Sequence, residues 1–255
     1  MDRFTYLGST LTNNVVIDRE VSIRIAKASA SFGRLYANVW NRRGIKIATK
    51  LKVYRAVVLP TLLYACETWT VYQRHAKKLN HFHTTCLRKL FNIKWQDMIP
   101  DTEVLRRADL PSIHTILMQS QLRWAGHVTR MPDHRLPKQI FYGEITKGKR
   151  SRGAPKKRFK DTLKSSLKAF QLDPDVWESL AKDRGKWRSK VHKGAKLSEQ
   201  RKIATAQAKR TARKAKKPSN TTPRSQIHCH ICQRAFSAQI GLTSHLRTHK
   251  QSTSS

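Results

Sequence analysis

Residues 21–39 read VSIRIAKASASFGRLYANV, and Val21, Ile25, Ala28, Phe32, Leu35, Tyr36 and Val39 recur at steps of three and four. That spacing sets them in one apolar stripe along a helix of about five turns. The same period returns down the chain. Ile47, Leu51, Tyr54 and Val58 form a second stripe, which Pro60 is expected to kink or end because its ring clashes with the preceding turn. Leu79, Phe82, Cys86, Leu87 and Leu90 mark a third over residues 75–91, and Ile113, Ile116, Leu117, Leu122 and Trp124 a fourth over residues 113–128. Trp177, Leu180, Ala181 and Trp187 mark a further helix over residues 176–191. Sustained period-two alternation is missing, and residues 4–7 are the only strand candidate of any length. The expected fold class is mainly α.

Charge sets the organisation. The 255 residues hold 52 Lys and Arg against 16 Asp and Glu, a formal net charge of +36. Self-repulsion at that charge opposes compaction unless an anion neutralises it, so the expected partner is a polyanion, nucleic acid above all. Only 38% of the residues are hydrophobic, below the usual share, and one uniform core is not expected. The longest apolar run, residues 56–66, is broken by Pro60 and Thr61 and falls short of the roughly 20 residues that span a bilayer, so no membrane partner is expected. The N-terminus has no apolar signal segment, and an intracellular, nuclear location is expected. Residues 1–140 hold 23 basic and 9 acidic side chains, residues 141–217 hold 25 and 7, and the last 38 residues hold 4 basic side chains and no acid. The boundaries that follow are a helical region over residues 1–145, a basic helical connection over 146–192, a basic arm and linker over 193–226, and a terminal module over 227–249. The arm is rich in Ala, Lys, Arg and Gln but has almost no apolar face, so it reads as a solvated helix or as a segment that orders on a polyanion. Residues 218–226, PSNTTPRSQ, read as a linker.

Of four cysteines, Cys66 and Cys86 are scattered while Cys229 and Cys232 form a close pair. In a chain without a secretory signal such a pair reads as metal-binding. Residues 227–249, IHCHICQRAFSAQIGLTSHLRTH, place Cys229 and Cys232 two apart, then twelve residues, then His245 and His249 three apart. Two thiolates on a tight turn and two imidazoles one helical turn apart suit the tetrahedral preference of Zn²⁺. Phe236 and Leu242 stand where a miniature core is needed. The segment resembles a Cys2His2 zinc finger over its whole length, except that Ile227 replaces the usual aromatic. Counted back from His245, the positions that face bases in a DNA-reading finger are Ala238, Gly241 and Ser244. None offers a bidentate base contact, so phosphate contact through Arg234, Arg247 and Lys250, or contact with a protein partner, is the expected use.

The basic stretch Lys147–Lys160 carries 8 basic residues in 14. Lys147, Lys149, Arg150, Arg152, Lys156, Lys157 and Arg158 are its candidate nucleic-acid contacts, and the run also suits nuclear localisation. Trp124, Trp177 and Trp187 read as core residues rather than stacking platforms. His127 has no nucleophile nearby and reads as structural or phosphate-contacting. On a helix His83 and Cys86 share a face while His81 points away, so no second metal site is expected there.

Six phrases in the first 190 residues resemble, in order, the C-terminal part of non-LTR retrotransposon reverse transcriptases. They are residues 4–9 (FTYLGS) with the helix ending at Trp40, residues 63–69 (LYACETW), 86–90 (CLRKL), 123–131 (RWAGHVTRM), 148–159 (GKRSRGAPKKRF) and 181–188 (AKDRGKWR). The resemblance implies that Tyr6-Leu7-Gly8 corresponds to a primer-gripping hairpin and that a thumb and a basic connection follow. In that family the catalytic palm, with its paired aspartates, lies before the first phrase. This chain starts at that phrase, and no two of its aspartates are adjacent, so nothing in it plays that part in a two-metal site. The expectation is a zinc-binding, nucleic-acid-binding remnant with no enzyme activity, taking RNA, DNA or hybrid with weak sequence specificity. The alternatives are an accessory part of an RNA-directed DNA polymerase assembled with a separate palm, or an adaptor that binds protein through the finger.

Overall fold

The structure, a computed structural model, describes residues 3–6, 9–12, 17–143, 153, 156–215 and 227–251. Its elements are mainly helices, with two short hairpins. The chain divides into two units, residues 1–206 and residues 207–255.

In the first unit β1 (Arg3–Tyr6) and β2 (Ser9–Thr12) pair antiparallel, with Tyr6 opposite Ser9. The strand candidate is therefore one arm of a hairpin, whose other arm, STLT, is too short and polar to show an alternation. Next comes α1 (Asp18–Arg34), which buries Val21, Ala28 and Phe32. Beyond Leu35 it widens into a π-turn, Tyr36–Trp40, where the Asn41 N–H bonds to the Tyr36 carbonyl. The wider turn leaves Tyr36 55% exposed and brings Trp40 inward. The Trp40 indole stacks on Phe32 at 5.1 Å and donates to its carbonyl at 2.7 Å. The expected stripe is thus corrected at its last turn, Trp40 replacing Tyr36.

Helix α2 (Ile47–Val53) runs through a second π-turn, Tyr54–Val58, into α3 (Leu59–Leu62). Pro60 does not end the helix. The Leu59 N–H reaches back five residues to the Tyr54 carbonyl, and this widening gives the proline ring room beside the preceding turn. Helices α4 (Gln73–Leu90), α5 (Asp101–Ala108) and α6 (Ile113–Thr129) complete a first core, with Leu79, Leu87, Val104 and Ile113 fully buried. A 3₁₀ turn, Cys66–Thr68, packs on α6. There the buried Gln121 side chain donates to the Trp69 carbonyl at 2.8 Å.

The spine of the unit is α6. Ile113 and Leu117 belong to the first core, while Met118, Leu122, Ala125 and Val128 belong to a second. Helices α7 (Leu136–Tyr142), α8 (Phe159–Ala169), α9 (Trp177–Lys182) and α10 (Arg184–Ala215) surround that second core. The single helix expected over residues 176–191 is two. Asp183 has extended backbone, and its carboxylate accepts the N–H groups of Gly185 at 2.9 Å and Lys186 at 3.0 Å, so it closes α9 and caps α10. Trp177 and Trp187 are buried, and Trp124 meets Phe141 and Phe159 edge-on, all three as core residues. Trp187 donates to the Leu122 carbonyl at 3.0 Å, and its indole lies on Gly126, where a Cβ would stand 2.2 Å from Nε1. Arg130 donates to the Ala181 carbonyl at 2.5 Å. The phrases at residues 123–131 and 181–188 are therefore two sides of one packing contact.

Helix α10 runs unbroken past residue 193, with Gly194, Ala195 and Ser198 buried. The Glu199 carboxylate accepts the N–H of Ser112 at 3.0 Å and its hydroxyl at 2.8 Å, capping α6. The first turns of the expected solvated arm are thus packed on the body. Only beyond Ile203 is the helix exposed nearly all round.

The second unit takes in the last turns of α10. It also holds β3 (Ile227–His228) paired antiparallel with β4 (Ala235–Phe236), followed by α11 (Gln239–Gln251). The linker at 218–226 lies outside the described residues. Among those that are described, no helix is long and apolar enough to cross a membrane.

Candidate metal centre and cationic surfaces

The β3–β4 turn is drawn tight by backbone bonds: the Cys229 N–H donates to the Arg234 carbonyl at 2.9 Å and the Gln233 N–H to the Cys229 carbonyl at 2.8 Å. Gln233 takes left-handed backbone, φ 57°, to close it. His245 and His249 lie four apart on α11 and so face the same way. Cys232 Sγ is 3.0 Å from His245 Nε2, Cys229 Sγ is 3.6 Å from His249 Nε2, and the two Nε2 atoms are 3.0 Å apart. All four donor atoms lie within 4.8 Å of one another. A tetrahedron with metal–sulfur bonds of about 2.3 Å and metal–nitrogen bonds of about 2.0–2.1 Å has edges of roughly 3.3–3.8 Å, so the three distances just given lie within about half an ångström of those edges and the widest donor separation within about 1 Å.

The local chemistry favours the metal-ready forms. Burial raises the Cys229 thiol, but the backbone N–H groups of Cys232 and Ile231, together with a hydrogen bond to the Cys232 thiol, outweigh that and hold it below its ordinary value. Burial and the neighbouring His249 and Arg234 charges lower the His245 imidazole. Leu242 is buried, and the half-buried Phe236 ring stands 4.8 Å from the His245 ring. These are the two core positions read from the sequence.

Helix α11 begins at Gln239, so Ala238, Gly241 and Ser244 fall on its base-facing positions, with Ala238 and Ser244 exposed. Arg234 is exposed, its guanidinium 5.9 Å from the Phe236 ring centroid, and Arg247 is exposed too. The Lys250 side chain lies outside the described part. Ile240 is 82% exposed and Ile231 56%.

Of the basic stretch, Lys147, Lys149, Arg150 and Arg152 lie outside the described residues. Lys156, Lys157 and Arg158 are exposed. The Lys157 backbone N–H donates to the Tyr72 hydroxyl at 3.0 Å, fixing this end of the stretch beside the start of α4. Arg158 pairs with Asp161 at 3.4 Å. Sequence reasoning missed a second basic surface. Lys186, Lys190, Lys193 and Lys196, spaced by four, three and three, stand exposed on α10, with Lys186, Lys193 and Lys196 on the face opposite Trp187, Val191 and Ala195 and Lys190 on its flank. Lys186 pairs with Asp183 at 3.6 Å, while Lys190, Lys193 and Lys196 have no ion-pair partner among the described residues. The signal was present as a lysine stripe out of phase with the apolar one.

His81 is exposed, whereas His83 and Cys86 are buried. His83 Nδ1 is 2.8 Å from the Tyr54 hydroxyl. Burial lowers the His83 imidazole to about 4 and raises the Cys86 thiol to about 12. Among the described residues no cluster of three or more His, Cys, Asp or Glu donors forms besides the one in the second unit. His127 is exposed on α6.

The chain is similar to a transposon-derived protein of Caenorhabditis elegans, 25% identical over an alignment that covers 73% of this chain and 69% of the worm protein. No protein-family model matches the chain, and no solved structure does.

Proposed function

We propose that this chain binds nucleic acid without catalysing a reaction on it, holds one zinc ion in a C-terminal finger, and descends from the thumb and connection of a non-LTR retrotransposon reverse transcriptase. The observation that carries the binding is the charge the fold leaves outside. Helix α10 alone has twelve Lys and Arg against one Glu. Phosphates are the groups that such a face fits, and contacts of this kind position a protein without reading sequence. Descent is supported by the transposon-derived relative and by the order of the six phrases. Zinc is supported by the donor set of two thiolates and two imidazoles, which Cys229, Cys232, His245 and His249 supply. The basic run around Lys147–Arg158 supports action in the nucleus. No adjacent aspartates stand in these 255 residues to hold a polymerase metal pair.

The test is anisotropy binding to duplex DNA, RNA–DNA hybrid and single-stranded RNA over a salt series, with and without a zinc chelator. Affinity is expected to fall steeply, with a log–log slope of several units. A flat salt response would sink the phosphate reading, and primer extension by the purified chain would overturn the absence of catalysis.

The exposed Ile240 and Ile231 favour a second reading for the finger itself, as the contact for a protein partner. Nucleic-acid affinity unchanged by the chelator, with a partner lost in Ile240→Asp, is its expected signature.

A further inference from the structure

Helix α4 is built on a sequence, QRHAKKLNHFHTTCLRKL, without a single acid. Its buried side carries His75, Ala76, Leu79, His83, Cys86, Leu87 and Leu90. Opposite them, within about a third of the circumference, fall Arg74, Lys77, Lys78, His81, Arg88 and Lys89, a cationic line that by helical rise runs about 22 Å. Arg74 pairs with Asp18 and Arg88 with Asp101, so the two arginines at the ends are partly neutralised. Lys77, Lys78 and Lys89 between and beside them have no ion-pair partner among the described residues. At the helix start the line is extended by Lys157, whose ammonium stands 5.9 Å from the Tyr72 ring centroid.

The other end is different. The helix stops in a left-handed cap: Asn92 has φ 53°, its N–H bonds to the Lys89 carbonyl, and the Ile93 N–H bonds to the Arg88 carbonyl. Ile93 and Ile99 then pack against the first core, and Arg88 donates to the Ile99 carbonyl at 2.6 Å. Between these anchors a 3₁₀ turn, Trp95–Asp97, is closed by the Asp97 carboxylate accepting the Lys94 N–H at 2.8 Å. On this pinned turn Trp95 is 79% exposed and Met98 74%. The Trp95 indole meets no aromatic ring among the described residues. Every other tryptophan of the chain is at least half-buried in a core.

We propose that the outer face of α4 and the Trp95 turn form a binding track for an unpaired nucleic-acid strand, the lysines following its phosphates and the indole stacking on a base. Charge complementarity selects a polyanion, and the bare indole selects the single strand, because along a duplex both faces of every internal base are already covered by neighbouring pairs. The proposal rests on the nucleic-acid reading above and assigns it a surface and a strandedness.

The experiment uses the zinc-loaded full chain and three 12-nucleotide probes of one sequence: single-stranded RNA, single-stranded DNA and the blunt DNA duplex. Trp95→Ala, at an exposed site, is expected to keep the far-UV spectrum and melting temperature. It should weaken both single strands by roughly 5- to 150-fold, the range one base–aromatic stack supplies, and leave the duplex unchanged. Trp95→Phe should recover most of the loss. Lys77→Gln, Lys78→Gln and Lys89→Gln together should weaken all probes and flatten the single-strand salt slope by about 2. Single strands bound equally by wild type and Trp95→Ala would overturn the track while leaving the nucleic-acid reading intact. A wild-type chain that binds none of the probes would overturn both, and an effect of Trp95→Ala on self-association alone would reassign the turn to a contact between copies.

Discussion

The body and the C-terminal module reach order by opposite means, though both belong to one strongly basic chain. Residues 1–206 bury two apolar clusters joined through α6, and they lock them with buried polar bonds such as Gln121 to the Trp69 carbonyl. Residues 227–251 bury little besides Leu242 and Cys229, with Phe236 half covered. Burial stabilises at about 25 cal/mol per Å², so the body offsets its charge repulsion with area. The module has no such area, and its geometry converges instead on four donor atoms. The body is thus ordered by packing, while the module offers four donor atoms placed to hold a metal ion.

The largest expected effect separates these two at a stroke. Structural zinc supplies roughly 10–16 kcal/mol of apparent folding energy in small fingers. A strong chelator, or Cys232→Ser, is expected to collapse the dispersed amide resonances of residues 227–251. All six tryptophans lie before residue 188, so near-UV circular dichroism and the fluorescence-detected melting temperature should stay where they are. Module resonances that survived chelation would show that packing holds it after all, and the contrast would be broken.

The converse perturbation targets the body. A methyl group at Gly126 would stand 2.2 Å from Trp187 Nε1, and the indole cannot withdraw without losing its bond to the Leu122 carbonyl. Gly126→Ala is expected to cost about 3 kcal/mol, from overpacking and the lost hydrogen bond together. Trp187→Ala is expected to cost about 3–5 kcal/mol. Because both act on one contact, urea unfolding of the double variant should show a loss well short of their sum. Zinc affinity should be unaffected in all three.

The same contrast explains what could be read from the sequence. The donors of the module were legible to the residue, because a metal demands fixed side chains at fixed spacing, and Cys229, Cys232, His245 and His249 converge as that spacing requires. The helices of the body were legible as periods, but not their joints. The π-turns at Tyr36–Trp40 and Tyr54–Val58 shift the phase by one residue, and a fixed step of three and four cannot register that. The break at Asp183 was hidden because Trp177 and Trp187, on two helices, are drawn into one core at 5.8 Å. The cationic faces of α4 and α10 were present in the sequence as lysines out of phase with the apolar stripes, but nothing there set them apart from the charge spread over the whole chain. Which lysines stand together depends on which side of each helix is buried, a property of the packed whole.

Acid should strain the body in a smaller, graded way. His83 is fully buried between Tyr54 and the neighbouring helices, and desolvation depresses its imidazole to about 4, the Pro111 carbonyl and Glu199 opposing this only in part. The unfolded chain takes up this proton near pH 6.5, while the folded chain refuses it until about pH 4. Between those values the unfolded state binds more protons, so stability is full above pH 6.5 and falls as pH drops, by roughly 3 kcal/mol at the lower limit. The check is urea unfolding of zinc-free protein from pH 7 to pH 4, followed by tryptophan fluorescence. His83→Gln can keep a bond to the Tyr54 hydroxyl and has no proton to gain, so it should flatten the curve by about that amount. An unchanged slope in the variant would assign the acid sensitivity to carboxylates such as Asp18. Burial raises the Asp18 carboxyl, but the hydrogen bond from His75 and the Arg74 charge more than reverse it.

The smallest effect makes the sharpest comparison, since one substitution can be placed in both regions. Helix α8 ends in a left-handed residue, Gln171, with φ 58°. Its N–H bonds to the Lys168 carbonyl, and the N–H of the buried Leu172 bonds to the Leu167 carbonyl. A side chain in that conformation costs about 1–2 kcal/mol, part of which glycine returns to the unfolded state as chain entropy. Gln171→Gly is therefore expected to stabilise the body by about 0.5–1 kcal/mol, read as a rise in melting temperature, with zinc affinity constant. Gln233, φ 57°, is the counterpart in the module, on the turn that carries Cys229 and Cys232. If the metal is what folds that turn, Gln233→Gly should leave the body's melting temperature alone and tighten zinc binding by about two- to fivefold, the same free energy expressed as an affinity. A melting shift from Gln233→Gly, or a zinc shift from Gln171→Gly, would mean that the two regions share their stability rather than holding it separately.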